Sequence, residues 1–338
     1  MIDLKPLHEQ RIIITGATSG IGLATAQAAV AAGARVVLTA RNAEALTRID
    51  ADLRGRGGNV VVLPLDTADP DYAETLSATA VDRFGGFDTW INNAAAATFG
   101  TLAQTPIADQ RRVFEVGYWG TVNGAMAALA HLRAAGHSGA IINLGSVLSE
   151  RAMILQGAYS AMKHAVKGFT DTLRTEIMRD GVPVSVTLIK PSAMHTPYAD
   201  HARNYMPKTA QLPPPLYDPR LVARAILFAA AHPRRELTVG GFGAASAAGD
   251  LLFPGLMDRA MAALGTTTQQ TEAARPLAAA DNLHQPRGDG EIDGSQQRSV
   301  RRHSLWLSAQ MYPAAALGVA ALGAGAIGLA VAGLRRKS

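Results

Sequence analysis

Tyr159 and Lys163 stand four residues apart in the stretch Gln-Gly-Ala-Tyr-Ser-Ala-Met-Lys-His-Ala-Val-Lys. On a helix that interval places both side chains on one face, one turn apart. A phenol is a poor acid or base at neutral pH, because its ordinary pKa is about 10. A neighbouring ammonium favours the phenolate and draws the group into a catalytic range. Ser146 closes the apolar run Ile-Ile-Asn-Leu-Gly just upstream, where its hydroxyl would hold a carbonyl or alcohol oxygen against the phenol. An ordinary amphipathic helix carries a Tyr and a Lys at this interval by chance, so the elements around the pair must decide between the readings.

Those elements begin at Arg11–Thr15, a β-branched run that leads into Gly-Ala-Thr-Ser-Gly-Ile-Gly and then an alanine-rich helical pattern to Ala32. Gly16, Gly20 and Gly22 fall where a backbone turns tightly and approaches a ligand, and the helix behind them offers unpaired N–H groups to a phosphate. A glycine-rich turn is a weak signal alone, and the order strand, glycines, helix strengthens it. Residues 34–40 read as the next strand, with Arg41 at its carboxyl end. An acidic residue there would bind a ribose 2′-hydroxyl, whereas an arginine accommodates a 2′-phosphate. Ala40 and Arg41 therefore favour NADP(H) over NAD(H), against the plain reading of a solvated loop arginine.

Further strands are expected at 59–65, 87–91, 139–144, 183–189 and 236–239. Helices are expected at 42–57, 69–84, 106–132, 159–180 and 221–231, with Asp69 as an N-cap and Pro70 in the first turn. This alternation predicts an α/β fold of Rossmann type, a doubly wound parallel sheet of about seven strands with ligands at the strands' carboxyl ends. Of the chain's 338 residues, 1–265 are assigned to this catalytic domain. The chain has no cysteine, which excludes disulfides, thiolate metal sites and a Cys nucleophile. Its net charge of +5 is spread out, without the basic stripe or zinc-finger spacing of a nucleic-acid binder. The N-terminus lacks the apolar core of a signal peptide, so the catalytic domain is expected in the cytoplasm.

Taken together, Thr15 through Gly22, Asn92-Asn93-Ala94, Ser146, Tyr159 through Lys163 and Pro191 through Thr196 closely resemble the short-chain dehydrogenases/reductases, in that family's order and over residues 8–245. The GxxxGxG spacing resembles its oxidoreductase branch. The resemblance implies an enzyme that interconverts a ketone or aldehyde and an alcohol. It implies that Gly16, Thr18, Ser19, Gly20, Ile21 and Gly22 hold the pyrophosphate, that Asp66 contacts the adenine and that Asn93 lies along the ribose. Lys163 would bond the nicotinamide ribose and lower the Tyr159 pKa, Tyr159 would pass the proton, Ser146 would orient the substrate oxygen and Thr196 would steady the nicotinamide end. Two departures stand out. The family's Asn-x-x-Gly is Gly117-Tyr-Trp-Gly120 here, and its Pro-Gly is Pro191-Ser192. With glycine at 117 the fourth member of the usual tetrad is absent, and a relay through ordered water or a backbone carbonyl is expected. A catalytically weak nucleotide-binding sensor or scaffold is the alternative function.

Residues 198–217 resemble the family's variable substrate lid, and their Leu, Met, Tyr and Pro content favours an apolar substrate. His195 and His201 have no acidic or cysteine partner at ligand spacing, so no metal site is expected. Residues 266–304 turn polar without apolar periodicity and read as a disordered linker. Residues 313–334 then carry no charge and end in Arg335-Arg336-Lys337. That length suits one crossing of the hydrocarbon core, with Trp306 and Tyr312 at the interface. Fourteen of the twenty-two are Ala or Gly, and pairs such as Ala321/Gly325 permit close helix packing. The expectation is a membrane anchor with a cytoplasmic catalytic domain, the alternative a soluble protein whose C-terminal helix packs in an oligomer. A homo-oligomer is expected in either case.

Overall fold

Three isoleucines in a row, Ile12 to Ile14, are wholly buried at the centre of a sheet covered on both faces, which is where an unbroken β-branched run belongs. A computed structural model describes residues 2–276, 280–287 and 290–318. Seven parallel strands form the main sheet: β1 (Arg11–Thr15), β2 (Arg35–Ala40), β3 (Asn59–Pro64), β4 (Thr89–Asn92), β5 (Gly139–Leu144), β6 (Val184–Pro191) and β7 (Glu236–Val239). Their order is β7-β6-β5-β4-β1-β2-β3. The chain winds outward from β1 through β2 to β3, then crosses back to β4 on the other side of β1. The switch point between β1 and β4 is the place where such sheets bind ligands.

Helices α1 (Gly20–Ala31), α2 (Ala43–Gly55), α3 (Tyr72–Phe84), α4 (Ile107–Phe114), α5 (Gly120–Ala135), α6 (Gly157–Arg179) and α7 (Arg220–Ala231) cover the two faces. One core layer joins Ile12, Ile14, Val36 and Leu38 to α1 and α7; the other joins Ile13, Val37, Trp90 and Ile141 to α3, α5 and α6. Under the switch point, Asp88 receives Lys5 Nζ at 2.7 Å and Arg11 Nε at 2.9 Å. Burial alone would raise the Asp88 carboxyl, but these donors outweigh it and hold the group at about 2.

The structure departs from expectation in several places. The helix expected from 69 starts at Tyr72, because Asp69 N–H donates to Asp66 O in a turn at 3.0 Å and Asp71 takes the N-cap position. The single long helix expected over 106–132 is α4 and α5 joined by a π-helical turn, Glu115–Trp119. Beyond β7 come two helices that the sequence pattern did not signal, α8 (Gly241–Leu252) and α9 (Pro254–Thr268). The boundary expected at Gly265 therefore falls inside α9. The polar stretch expected to be a disordered linker packs on the catalytic domain wherever it is described. Gln270–Ala274 pairs with Lys208–Ala210, Val300–Arg301 pairs with Leu216–Tyr217, and Leu283 is fully buried. Backbone hydrogen bonding and one apolar plug replace the apolar periodicity that the composition lacks. A further helix, α10 (Leu305–Met311), buries Leu307 and Met311 against the same core. Most of the expected anchor at 313–334 lies outside the described residues; among those described, no helix is long and apolar enough to cross a membrane.

Candidate active site

At the carboxyl end of β1 the chain makes a cradle from backbone alone. Gly16 takes φ +65°, and a Cβ there would lie 2.8 Å from Ala94 Cα. A Cβ on Gly22 would overlap the Gly16 carbonyl oxygen. The Asn93 amide ties the turn to β4 by donating to Thr15 O at 2.9 Å and Gly16 O at 3.0 Å. Asn93, expected along a ribose, thus has its Nδ2 engaged in shaping the cradle. Ser19 is the N-cap of α1 in extended backbone, without a side-chain capping bond, so the α1 N-terminus borders the cleft together with Gly20, Ile21 and the buried Thr18. A dinucleotide's phosphates fit such a wall, because the turn is glycine-rich and the amide-bearing end of α1 borders it.

Arg41 and Asp66 border the same cleft at the ends of β2 and β3. They lie 3.9 Å apart, and Asp66 also pairs with Arg112 and accepts Ala68 N–H at 3.0 Å. Thr196 is buried on the opposite side, its Cβ 3.3 Å from where a Gly20 Cβ would be.

Ser146 caps a short 3₁₀ turn, Val147–Ser149, and its Oγ accepts Leu148 N–H at 3.1 Å. Tyr159 lies on the first turn of α6 and lines the same cleft as Ser146. Lys163 Nζ is 5.5 Å from the Tyr159 ring centroid and donates to Leu144 O at 2.6 Å. The three side chains expected to act together do converge in one buried cleft. Their electrostatics differ from the expected pattern. Burial raises the Tyr159 phenol above its ordinary value and Ser146 opposes this, while burial brings Lys163 down to about 7. Desolvation disfavours both charged forms, and the phenol is held in its proton-donating form.

Three partners were not foreseen. Tyr198 stacks edge-on against Tyr159, ring centroids 5.3 Å apart, and donates to Gln156 Oε1 at 2.8 Å. Leu155, just before Gln156, adopts φ +67°, unusual for a leucine, and accepts Gly100 N–H at 2.8 Å. The third is Met162. Gly117 lies in the π-helical turn, and a Cβ there would be 2.6 Å from both Met162 Sδ and Cε. The thioether fills the space an asparagine side chain at 117 would need. Gly117→Asn alone is therefore expected to push the flexible Met162 thioether out of its buried place and lower thermal stability by about 1 kcal/mol, the low end of overpacking costs. Adding Met162→Ala should restore much of it. Melting curves of the two variants check this, and an unperturbed single variant would refute the packing account. Only the lack of a side chain at 117 was visible in the sequence; the filler, Met162 on α6, was not.

Much of the rest of the cleft wall is apolar, with Ala97, Met153, Met194, Tyr198, Leu212 and Phe242 among the lining residues. Behind it Phe99, Leu155, Met206, Leu212 and Leu216 form a small core of their own, partly from residues 198–217. His201 borders the cleft, while His195 Nε2 sits 3.0 Å from Gln296 O. Among the described residues no cluster could hold a metal ion.

A parallel sheet with a glycine cradle at its switch point and a tyrosine–lysine helix beside it defines a nucleotide-dependent oxidoreductase fold. The sequence profile of the short chain dehydrogenase family matches residues 10–206, and the chain belongs to that family. It is 38% identical over 320 residues to the uncharacterized oxidoreductase YxnA of Bacillus subtilis, a match covering 94% of this chain and 90% of that one. That match extends well past the family profile into the C-terminal residues. It is 35% identical over 195 residues to the 1-deoxy-11-beta-hydroxypentalenate dehydrogenase of Streptomyces exfoliatus, covering 56% of this chain and 70% of that one. Mouse dehydrogenase/reductase SDR family member 7B is 35% identical over 196 residues, 56% of this chain and 59% of its own length. In fold the chain is similar to a Burkholderia phymatum short chain dehydrogenase/reductase in complex with NAD, with TM-score 0.65, 23% identity, and coverage of 81% of this chain and 100% of that one. It is also similar to Gluconobacter frateurii L-sorbose reductase complexed with NADPH and L-sorbose, with TM-score 0.59, 23% identity, and coverage of 70% and 96%.

Proposed function

We propose that this oxidoreductase uses NADP(H) to interconvert a ketone or aldehyde and an alcohol on an apolar substrate. The observation that carries the reading is the convergence of Ser146, Tyr159 and Lys163 in one apolar cleft with the glycine cradle. The residues from Gly16 to Gly22 would hold the pyrophosphate, Arg41 and Asp66 the adenosine end, Asn93, Lys163 and Thr196 the nicotinamide half. When bound, the cofactor supplies or accepts the hydride. Ser146 Oγ orients the substrate oxygen. Tyr159, kept protonated by burial, donates its proton to that oxygen in reduction and recovers it in oxidation. Lys163 Nζ, anchored on Leu144 O, leads towards a backbone carbonyl in place of the missing asparagine. NADPH oxidation against a panel of apolar carbonyl compounds tests the assignment.

Arg41 supports NADP(H) because it is a cation at the end of β2 with no acidic residue in its place. Arg41→Asp is expected to reverse preference, weakening NADPH relative to NADH by about 10-fold or more, as loss of a charge-assisted contact implies. Unchanged relative affinities in a direct titration would sink the NADP(H) assignment.

A membrane seat is part of the proposal. It is supported by the uncharged residues 313–334 and by exposed apolar side chains on neighbouring helices, including Leu251, Leu256 and Leu305. The full chain should remain in a carbonate-washed membrane fraction; its release into the supernatant would overturn this.

A further inference from the structure

Described residues of the C-terminal polar stretch, 281–287 and 291–294, lie along the dinucleotide cleft, and backbone carbonyls among them sit on donors that a phosphate would use. Gly20 N–H, at the start of α1, donates to Glu291 O at 2.9 Å. Arg41 donates to the carbonyls of Asn282 and Leu283, the latter at 3.3 Å. Asn42 Nδ2, which also borders the cleft, donates to Arg287 O at 2.8 Å. Asn282, Pro286 and Arg287 themselves line the cleft. On the far side Gly294 lies so close to Thr196 that a Cβ would overlap the Thr196 carbonyl, and its N–H donates to His195 O at 3.3 Å.

This seating is built, with anchors on both sides. Leu283 is fully buried in the cluster that contains Ala96, Val113 and Val116, and Arg112 Nε donates to Leu283 O at 3.1 Å. Asp281 pairs with Arg203 at 2.9 Å, and His284 Nε2 is 2.7 Å from Asp109 Oδ1. Further on, both carboxylate oxygens of Asp293 receive Arg220 at 2.9 Å, and Ser295 Oγ donates to Asp200 Oδ1 at 2.6 Å. Neither Arg220 nor Ser295 borders the cleft.

We propose that this segment is an intramolecular competitor for the cofactor: its carbonyls at Asn282, Leu283 and Glu291 hold the phosphate-binding donors and must leave when a dinucleotide binds. The proposal rests on the cofactor reading above. A carbonyl oxygen mimics a phosphate oxygen as an acceptor but carries no full charge, so a dinucleotide displaces it at a cost equal to the segment's own seating. The apparent affinity is the intrinsic one multiplied by the fraction of chains with the segment lifted.

The test uses the full chain and two readouts. In Arg220→Ala/Ser295→Ala, which loosens the seat outside the cleft, the NADPH dissociation constant by fluorescence titration should fall about three- to tenfold. In the unmodified chain, added NADPH should increase amide hydrogen exchange in residues 281–296. Should the variant lose affinity, or NADPH protect these residues, the segment is instead a clamp that closes on the cofactor, and the proposal fails. An unmoved dissociation constant with unmoved exchange refutes it as well. Gly294→Ala gives a second route, since the added Cβ meets backbone, and the same fall is expected. If neither NADPH nor NADH binds any of these chains, the cofactor reading itself fails and takes this proposal with it; binding with no competition removes the proposal alone.

Discussion

Tyr159→Phe is expected to reduce turnover by about 10²- to 10⁴-fold, the range over which a positioned proton donor contributes, while cofactor affinity stays within a few-fold. The substitution removes one oxygen from a ring held by Tyr198 and the α6 backbone, so the cleft keeps its shape. What disappears is the hydroxyl that borders the cleft with Ser146 and that burial keeps protonated at neutral pH. Steady-state rates and a cofactor titration on the same preparation separate the two effects. Near-normal turnover would take Tyr159 out of the chemistry.

Gly22→Ala is the second large effect, and it acts on binding. A methyl group at 22 would overlap the Gly16 carbonyl and press on Asn93 Nδ2, so the turn between β1 and α1 must open. A flexible side chain could swing aside, but a carbonyl at the end of a buried strand cannot. An overpacking cost of about 1–3 kcal/mol corresponds to a dissociation constant raised roughly 5- to 150-fold. Titration with NADPH measures it, and calorimetry of the same variant shows whether the sheet still melts cooperatively. Unchanged affinity would mean the cradle does not touch the cofactor.

Much of this was legible from residue types alone. Ile12–Ile14 read as a strand, and the order strand, glycines, helix pointed to a close backbone approach after Thr15. The interval from Tyr159 to Lys163 placed two chemical groups on one helical face. What escaped were relations between elements distant in sequence. Glycine at 117 reads as a loss, yet Met162 from α6 fills the space, so the two positions form one packing unit. The start of α3 moved from 69 to 72 because a local turn at Asp66 took the hydrogen bond first. Residues 266–304 read as a linker because few of them are apolar; the described part is seated instead by buried Leu283, two short strand pairings, ion pairs of Asp281 and Asp293, and backbone carbonyls bonded to Arg41, Asn42, Arg112 and Gly20. The lowered charge preference of Tyr159 and Lys163 also follows from burial, which spacing does not report.

The absent tetrad asparagine bears on whether the cleft turns over at all. Gly117 favours the alternative of a nucleotide sensor, whereas the intact Ser146, Tyr159 and Lys163 favour an enzyme. NADPH deuterated at its hydride-bearing carbon decides between them. Incubated with the full chain and apolar ketones and aldehydes, it should deliver deuterium to the carbinol carbon of an alcohol product, and Tyr159→Phe should abolish the label. Tight binding of the labelled dinucleotide with no deuterium in any product would contradict the enzyme reading.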